Sequence, residues 1–319
     1  MKISILGTGA YGMAIASVLH YNKHSIKMWT NSNEEANYLN TNKKSPKVNY
    51  DIPSDIIIST NMKDVVSDSD VIIFATPSEF VGGVSKELSN YYNNQYIGIT
   101  SKGIDNKSLL CLSDVVKMNI STDLIAVISG CTFASDMVRK SVLGINVASK
   151  NLNTLNVISS ILENDYLSVY KTSDVIGTEI CGAIKNIMAI GNGIINGMEF
   201  PESSSAMFIT LATREITDLI KCLGGEVNTI FSFAGIGDLI LTCNSKESRN
   251  FTLGNMMGKK LDTKDYIENT TIEGLYTLHA ITNIVKNNNI NMPIITMIDD
   301  IVNGKKSTDD FIKLLIKLK

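Results

Sequence analysis

Short apolar runs alternate with amphipathic stretches over the first half of the chain. "KISIL" (Lys2–Leu6), "SIKMW" (Ser25–Trp29), "DIIIST" (Asp55–Thr60), "DVIIFATP" (Asp70–Pro77), "QYIGITSKG" (Gln95–Gly103) and "LIAVISG" (Leu124–Gly130) are rich in β-branched residues and bounded by polar or glycine positions, which reads as strands. Between them apolar residues recur at helical spacing, as in "MAIASVLHYN" after Gly12. Strands alternating with helices predict a mostly parallel sheet with helices on both faces. Two weaker strands, "GINVAS" and "LSVYKT", carry the pattern to about Thr172.

From Ser173 the pattern changes to long helical runs over 174–195, 203–223, 250–260, 273–288 and 308–318, with one short β-rich stretch, "NTIFSFAG". The expectation is an α/β domain over 1–172 followed by an all-helical domain over 173–319. No Pro- or Gly-rich linker separates them. One helical run is unusual: "EICGAIKNIMAIGNGII" (Glu179–Ile195) reads as buried, yet it carries Lys185 in its middle.

The first strand runs into "GTGAYG", in which Gly7, Gly9 and Gly12 form G-x-G-x-x-G before a helix. In this context the pattern is a dinucleotide-binding turn of the Rossmann type. The first glycine permits the tight turn, the second lets a pyrophosphate approach the backbone, and the third lets helix and strand pack closely. The helix start adds unpaired N–H groups and a positive dipole end. Ala10 and Tyr11 sit on the same turn. An acid at the end of the second strand would bind the adenine-ribose hydroxyl, but "WTNSN" (Trp29–Asn33) has neither acid nor base there. Trp29 and Asn31 are the candidates at that end, Asn31 or Ser32 could bond either a hydroxyl or a phosphate, and the choice between NAD and NADP stays open.

The chain is 44% hydrophobic and 19% charged over 319 residues, with a net charge of −3. This fits a core-forming protein and argues against a nucleic-acid or membrane-surface binder. Any anionic ligand must therefore be caught locally. No apolar stretch is long enough to span a bilayer, and no leader-like segment precedes the first strand. The five cysteines contain no Cys-x-x-Cys pair, and the three histidines lack metal-ligand spacing. A cytoplasmic protein without a metal site is expected.

Three polar clusters carry candidate chemistry. Lys102, in "TSKGI", stands past the C-terminal end of a predicted strand, the edge where open α/β sheets bind ligands. Lys185 is the second. The third is "GIGDLILTCNSKESRN" (Gly235–Asn250), which gathers Asp238, Thr242, Ser248, Arg249 and Asn250 near a helix start. An arginine there is suited to clamp a phosphate. Singly, each could be a solvated or snorkelling side chain. Together they are what a phosphorylated carbonyl substrate needs.

These blocks, with "SGCTFASD" (Ser129–Asp136) and "IEGLYT" (Ile272–Thr277), occur in an order that resembles NAD(P)-dependent sn-glycerol-3-phosphate dehydrogenases of the bacterial type, over almost the whole chain. The resemblance implies reduction of dihydroxyacetone phosphate to sn-glycerol 3-phosphate for phospholipid synthesis. It implies that Lys185 is the general acid/base, that Lys102 lies beside substrate and nicotinamide, and that Asp238 belongs to the catalytic group. Gly130, Thr132, Ser248, Arg249 and Asn250 are implied substrate contacts, with Arg249 shared with the cofactor. Ala134, Thr271 and Glu273 are implied cofactor contacts. Cys131 and Thr132 replace the family's usual Pro and Ser, and Asn31 stands where a basic residue is frequent. The resemblance leaves a homodimer open.

Hydride delivered to a ketone carbon makes its oxygen anionic, and an ammonium aimed at that oxygen can stabilise and then protonate it. Apolar surroundings and Lys102 should lower the Lys185 pKa while Asp238 raises it. The rival readings are a ketopantoate or 3-hydroxy-acid reductase on a similar framework, and a non-catalytic dinucleotide-binding regulator.

Overall fold

The computed structural model describes residues 1–318. The chain forms two compact units, Met1–Ser101 with Leu112–Val175, and Lys102–Cys111 with Ile176–Lys319.

The first unit holds ten strands: β1 (Lys2–Leu6), β2 (Ser25–Trp29), β3 (Lys44–Ser45), β4 (Tyr50–Asp51), β5 (Ile57–Ser59), β6 (Val71–Phe74), β7 (Tyr96–Ile99), β8 (Ile125–Gly130), β9 (Leu143–Ala148) and β10 (Leu167–Thr172). Eight form one sheet in the order β10-β9-β8-β7-β6-β1-β2-β5, while β3 and β4 pair separately. All neighbours in the large sheet are parallel except β8 and β9. The helices are α1 (Ala10–Tyr21), α2 (Asn33–Asn42), α3 (Met62–Val66), α4 (Val81–Leu88), α5 (Leu112–Asn119), α6 (Ala134–Val138) and α7 (Leu152–Leu162).

The period-2 alternation of the strands separates two cores. Ile3, Ile5, Ile73 and Ile128 pack with Ala14, Val18 and Ile158 of α1 and α7. Leu6, Ile72, Phe74 and Ile97 pack on the opposite face with Val84, Leu88 and Val116 of α4 and α5. Strands apolar on both faces are what a sheet covered by helices on both sides requires.

The second unit contains α8 (Val175–Gly197), α9 (Glu202–Cys222), α10 (Asp238–Asn244), α11 (Arg249–Gly258), α12 (Lys264–Asn269), α13 (Glu273–Asn287), α14 (Pro293–Val302) and α15 (Thr308–Lys317). Ile184, Ile187, Phe208, Ile216, Ile281, Ile298 and Phe311 share its core. Phe208 and Phe311 meet edge to face, with ring centroids 5.8 Å apart. Helix α14 lies outside the five runs read from the sequence. Its proline at the first helical position starts it, where a missing N–H costs nothing.

"NTIFSFAG" is not a strand. Val227–Phe231 makes a 3₁₀ turn and Phe233–Gly237 a π turn. Its backbone bonds close locally, from Thr229 N–H to the Glu226 carbonyl (3.0 Å) and from Ser232 N–H to the Thr229 carbonyl (3.1 Å). β-Prone residues follow local bonding when no ladder is there to receive them.

Helices α8 and α11 cross at four glycines. A Cβ on Gly193, Gly197, Gly254 or Gly258 would overlap the carbonyl oxygen of Phe251, Asn255, Ile190 or Ile194 respectively. Each glycine costs a helix roughly 0.8–1.0 kcal/mol relative to alanine; here the backbones approach more closely than any side chain permits. Among the described residues, no helix is long and apolar enough to cross a membrane.

Candidate active site

The first unit carries the glycine turn. Gly7 has φ +124°, and a Cβ there would lie 2.6 Å from the Ala75 carbonyl oxygen, so the turn admits no other residue without strain. Gly12 sits against the Gly7 carbonyl, which a Cβ would overlap. Gly9 differs: a Cβ on it would meet nothing within 4 Å. Gly9 also caps α1, with no side-chain bond and no acid in the first turn. The opening N–H groups of α1 thus have no side-chain cap, at the positive end of the helix dipole. At the neighbouring strand end, the buried Thr76 hydroxyl has no hydrogen-bond partner among the described residues. These features fit a dinucleotide pyrophosphate on the N–H groups of Gly9, Ala10, Tyr11 and Gly12.

Tyr11 extends from this turn, and its hydroxyl bonds the buried Thr132 hydroxyl at 2.9 Å. That bond joins the glycine turn to the loop leading to Ala134, the first residue of α6. Gly130 has a packing reason of its own, because a Cβ there would lie 2.6 Å from both the Gly144 carbonyl oxygen and the Ile145 Cα. Cys131 donates weakly to the Gly144 carbonyl at 3.4 Å. Trp29 is buried and donates its indole N–H to the Thr60 carbonyl at 3.0 Å. Asn31 is exposed.

The second unit carries the charged cluster. Lys185 lies mid-way along α8 and is 8% exposed. Its ammonium donates to Asp238 Oδ1 at 2.7 Å and to Thr242 Oγ1 at 2.9 Å. The π turn ends at Asp238, which is fully buried at the start of α10. One helical turn on, the Thr242 hydroxyl donates to Asp238 Oδ1 at 3.2 Å. Asp238 Oδ2 accepts from Lys102 Nζ at 2.6 Å. The Lys102 segment is itself tied down: the Asn106 N–H donates to the Tyr276 hydroxyl at 3.3 Å, and Ile104 pairs with Cys111.

Burial is the main force on Lys185. It disfavours the charged form, Lys102 adds repulsion, and Asp238 opposes both. The net result pushes the ammonium down to about 8. Burial works to raise the Asp238 carboxyl, but the two lysines outweigh it and hold it below the usual carboxylate range. An ammonium has three N–H donors. Lys185 uses two within the cluster, and the third has no partner among the described residues. Two ammoniums on one carboxylate leave a local charge of about +1, placed where water is scarce and electrostatic interactions are strong.

A second network runs beside the first. Asn186 donates to Glu273 Oε2 at 3.2 Å and accepts from Asn250 Nδ2 at 3.0 Å. Asn250 Oδ1 accepts from Gly274 N–H at 2.9 Å. Ser248 caps α11, its hydroxyl accepting from Phe251 N–H at 3.2 Å. Arg249 follows it, exposed, and makes no ion pair among the described residues. Thr271 is exposed just before α13.

The second unit thus brings Lys102, Lys185 and Asp238 into direct contact, and links Asn250 with Glu273. The first unit holds Gly7, Gly9, Ala10, Tyr11, Gly12, Trp29, Asn31, Gly130, Thr132 and Ala134. Thr242 belongs to the polar cluster read from the sequence, whereas Asn186 was not singled out. Asn186 lies next to Lys185, so its adjacency was the available signal. Among the described residues no group of His, Cys, Asp or Glu could hold a metal ion, and no disulfide forms.

Two family models cover most of the chain. Residues 2–155 match the NAD-dependent glycerol-3-phosphate dehydrogenase N-terminus, and residues 174–313 match the C-terminus. Glycerol-3-phosphate dehydrogenase [NAD(P)+] of Fusobacterium nucleatum is 31% identical over 323 residues, covering 99% of this chain and 96% of that protein. The crystal structure of glycerol-3-phosphate dehydrogenase from Coxiella burnetii superposes with a TM-score of 0.93 at 27% identity, covering 99% of both chains. A ketopantoate reductase from Ralstonia eutropha shares the fold alone, at 10% identity and a TM-score of 0.63 over 98% of this chain and 99% of that one.

Proposed function

The chain belongs to the NAD-dependent glycerol-3-phosphate dehydrogenase family, and from that premise we propose that it interconverts dihydroxyacetone phosphate and sn-glycerol 3-phosphate. The observation that carries the reading is Lys185: a buried ammonium, fixed by Asp238 and Thr242, with one N–H unused by the described residues. The glycine turn would hold NAD or NADP through Gly9, Ala10, Tyr11 and Gly12. When bound, the reduced nicotinamide supplies a hydride to the carbonyl carbon.

Lys185 acts on the carbonyl oxygen. Its third N–H bonds that oxygen and strengthens the bond as negative charge develops. The proton then passes from Nζ to oxygen, leaving alcohol and neutral amine. In the reverse direction the neutral amine takes the hydroxyl proton. A pKa pushed down to about 8 places both forms within reach near neutral pH, which is what general acid–base work requires.

Asp238 and Lys102 act through position and charge. With one carboxylate oxygen on each lysine, Asp238 cannot turn away from Lys185. The excess positive charge favours an anionic oxygen over a neutral one. Thr242 fixes the direction of the ammonium by accepting one of its hydrogens. Arg249 and the start of α11 are the phosphate clamp in this reading: a guanidinium matches phosphate geometry, and the helix end is positive. Asn250 is held in place by Asn186 and Gly274.

A cytoplasmic setting belongs to the same reading, supported by five cysteines that form no disulfide. The test is oxidation of NADH and NADPH followed by absorbance with dihydroxyacetone phosphate, against ketopantoate and 3-keto acids. Turnover of the phosphorylated ketone, inhibited competitively by inorganic phosphate, is expected. Turnover of carboxylated ketones alone overturns the proposal.

A further inference from the structure

The second strand ends without an acid, yet a carboxylate reaches that end from elsewhere. Glu35 stands in the first turn of α2, which Ser32 caps by accepting from the Glu35 N–H at 3.1 Å. Its side chain folds back toward the strand. Oε2 accepts from Thr30 Oγ1 at 2.7 Å and from Thr8 Oγ1 at 2.8 Å. Oε1 accepts from Lys47 Nζ at 2.5 Å. Thr8 lies between Gly7 and Gly9 in the glycine turn, and Thr30 follows β2 directly. Both threonines are buried. Glu35 thus sits where a dinucleotide-binding fold places the acid that accepts an adenine-ribose 2′-hydroxyl bond, although it arrives from the helix.

We propose that Glu35 and Lys47 form an opposed pair that sets the choice between NAD and NADP. This rests on the dinucleotide-binding reading of the glycine turn. A carboxylate oxygen has room for a further donor, so Glu35 accepts the 2′-hydroxyl of NAD and repels the 2′-phosphate of NADP. Lys47 is the counterweight. Its side chain is 49% exposed against 24% for Glu35, so it is the partner with freedom to turn outward and meet a phosphate as a point charge.

Burial alone would raise the Glu35 carboxyl, but its bonds from Lys47, Thr30 and Thr8 hold it below the ordinary range. It is therefore ionised at neutral pH and its repulsion is always present. Asn31, the residue favoured by position in the sequence, has no such anchoring.

The prediction is a pair of opposite changes. Titration of the full-length protein with NADH and NADPH by nicotinamide fluorescence gives both dissociation constants without any turnover. Glu35→Gln is expected to shift the NADPH-to-NADH affinity ratio toward NADPH by tenfold or more. Lys47→Ala is expected to shift it toward NADH by threefold or more. Thermal melting of each variant, with and without nucleotide, separates lost folding from lost selectivity, and Lys47→Ala changes only a half-exposed side chain. Ratios within twofold of wild type in both folded variants overturn the proposal, as do shifts in the same direction. If wild type binds both nucleotides but leaves dihydroxyacetone phosphate unchanged, the substrate assignment fails while this one stands. If it binds neither, the dinucleotide reading fails first.

Discussion

In the proposed reading, the glycine turn and the lysine–aspartate cluster handle negative charge by opposite means. The turn uses backbone: three small residues, uncapped N–H groups and a helix dipole, with no ionised side chain in the first turn of α1. The cluster uses side chains: two ammoniums around a buried carboxylate. A pyrophosphate keeps its charge throughout a reaction, so fixed partial charges suffice for it. An oxygen that becomes anionic and then neutral needs a group that can give up a proton. The difference between the sites is therefore the difference between holding a charge and creating one.

The sharpest test of that contrast is Lys185→Ala. It should lower kcat by about 10²–10⁴, the usual worth of a positioned acid, while NADH affinity by fluorescence titration stays close to wild type. If affinity collapses together with rate, the two sites do not divide the work in this way. Arg249→Ala should reduce kcat/KM for dihydroxyacetone phosphate by about 1.5–3 kcal/mol, the worth of hydrogen bonds to a charged group. Most of the loss should appear in KM, and inhibition by added phosphate should weaken in parallel.

On the other side of the comparison, Gly7→Ala should destabilise the first unit by about 1–3 kcal/mol through backbone strain. Denaturant unfolding would show it. The pH dependence gives a smaller, directional effect. If Lys185 is the acid, reduction needs it protonated, so kcat/KM should be level below about pH 8 and fall up to roughly tenfold per unit above it. Oxidation needs the neutral amine and should rise over the range below that pH, then level off. A reduction rate that climbs through pH 8 would reverse the assigned role. Gly9→Ala should be mildest for the fold, under about 1 kcal/mol for loss of a helix-capping glycine, yet it should weaken NADH binding because its Cβ points into otherwise open space. If Gly9→Ala binds normally, the pyrophosphate does not lie on that residue.

The glycine turn was legible in the sequence because its signal is local: spacing, a preceding strand and a following helix. Lys185 was legible for another reason, as a contradiction between an apolar helix and an ammonium. Asp238 was legible as a member of a polar cluster, and its place in the catalytic group came only with the resemblance. Thr242 was legible only as a member of that polar cluster, and Asn186 and Glu35 do not stand out in the sequence at all. Both acquire partners only when distant segments meet, and no periodicity announces that. Glu35 shows the limit well: the strand end itself carries no acid, whereas this carboxylate returns to it from a helix turn. The crossing of α8 and α11 left a mark that could have been used, because both helices carry glycines four residues apart in otherwise good helical sequence. "NTIFSFAG" misled because its composition favours strands while its surroundings supply no ladder.

The chain passes between its two units at Ser101–Lys102, Cys111–Leu112 and Val175–Ile176. A ten-residue excursion from the first half of the gene thereby delivers one of the two cations that Asp238 requires. A fragment beginning at Ile176 would carry every helix of its unit and still leave one carboxylate oxygen facing nothing. Recombination that trades the later half of this gene for a relative's would also trade away that match. Lys102 and Asp238 are therefore expected to be inherited as a set, although 136 positions separate them.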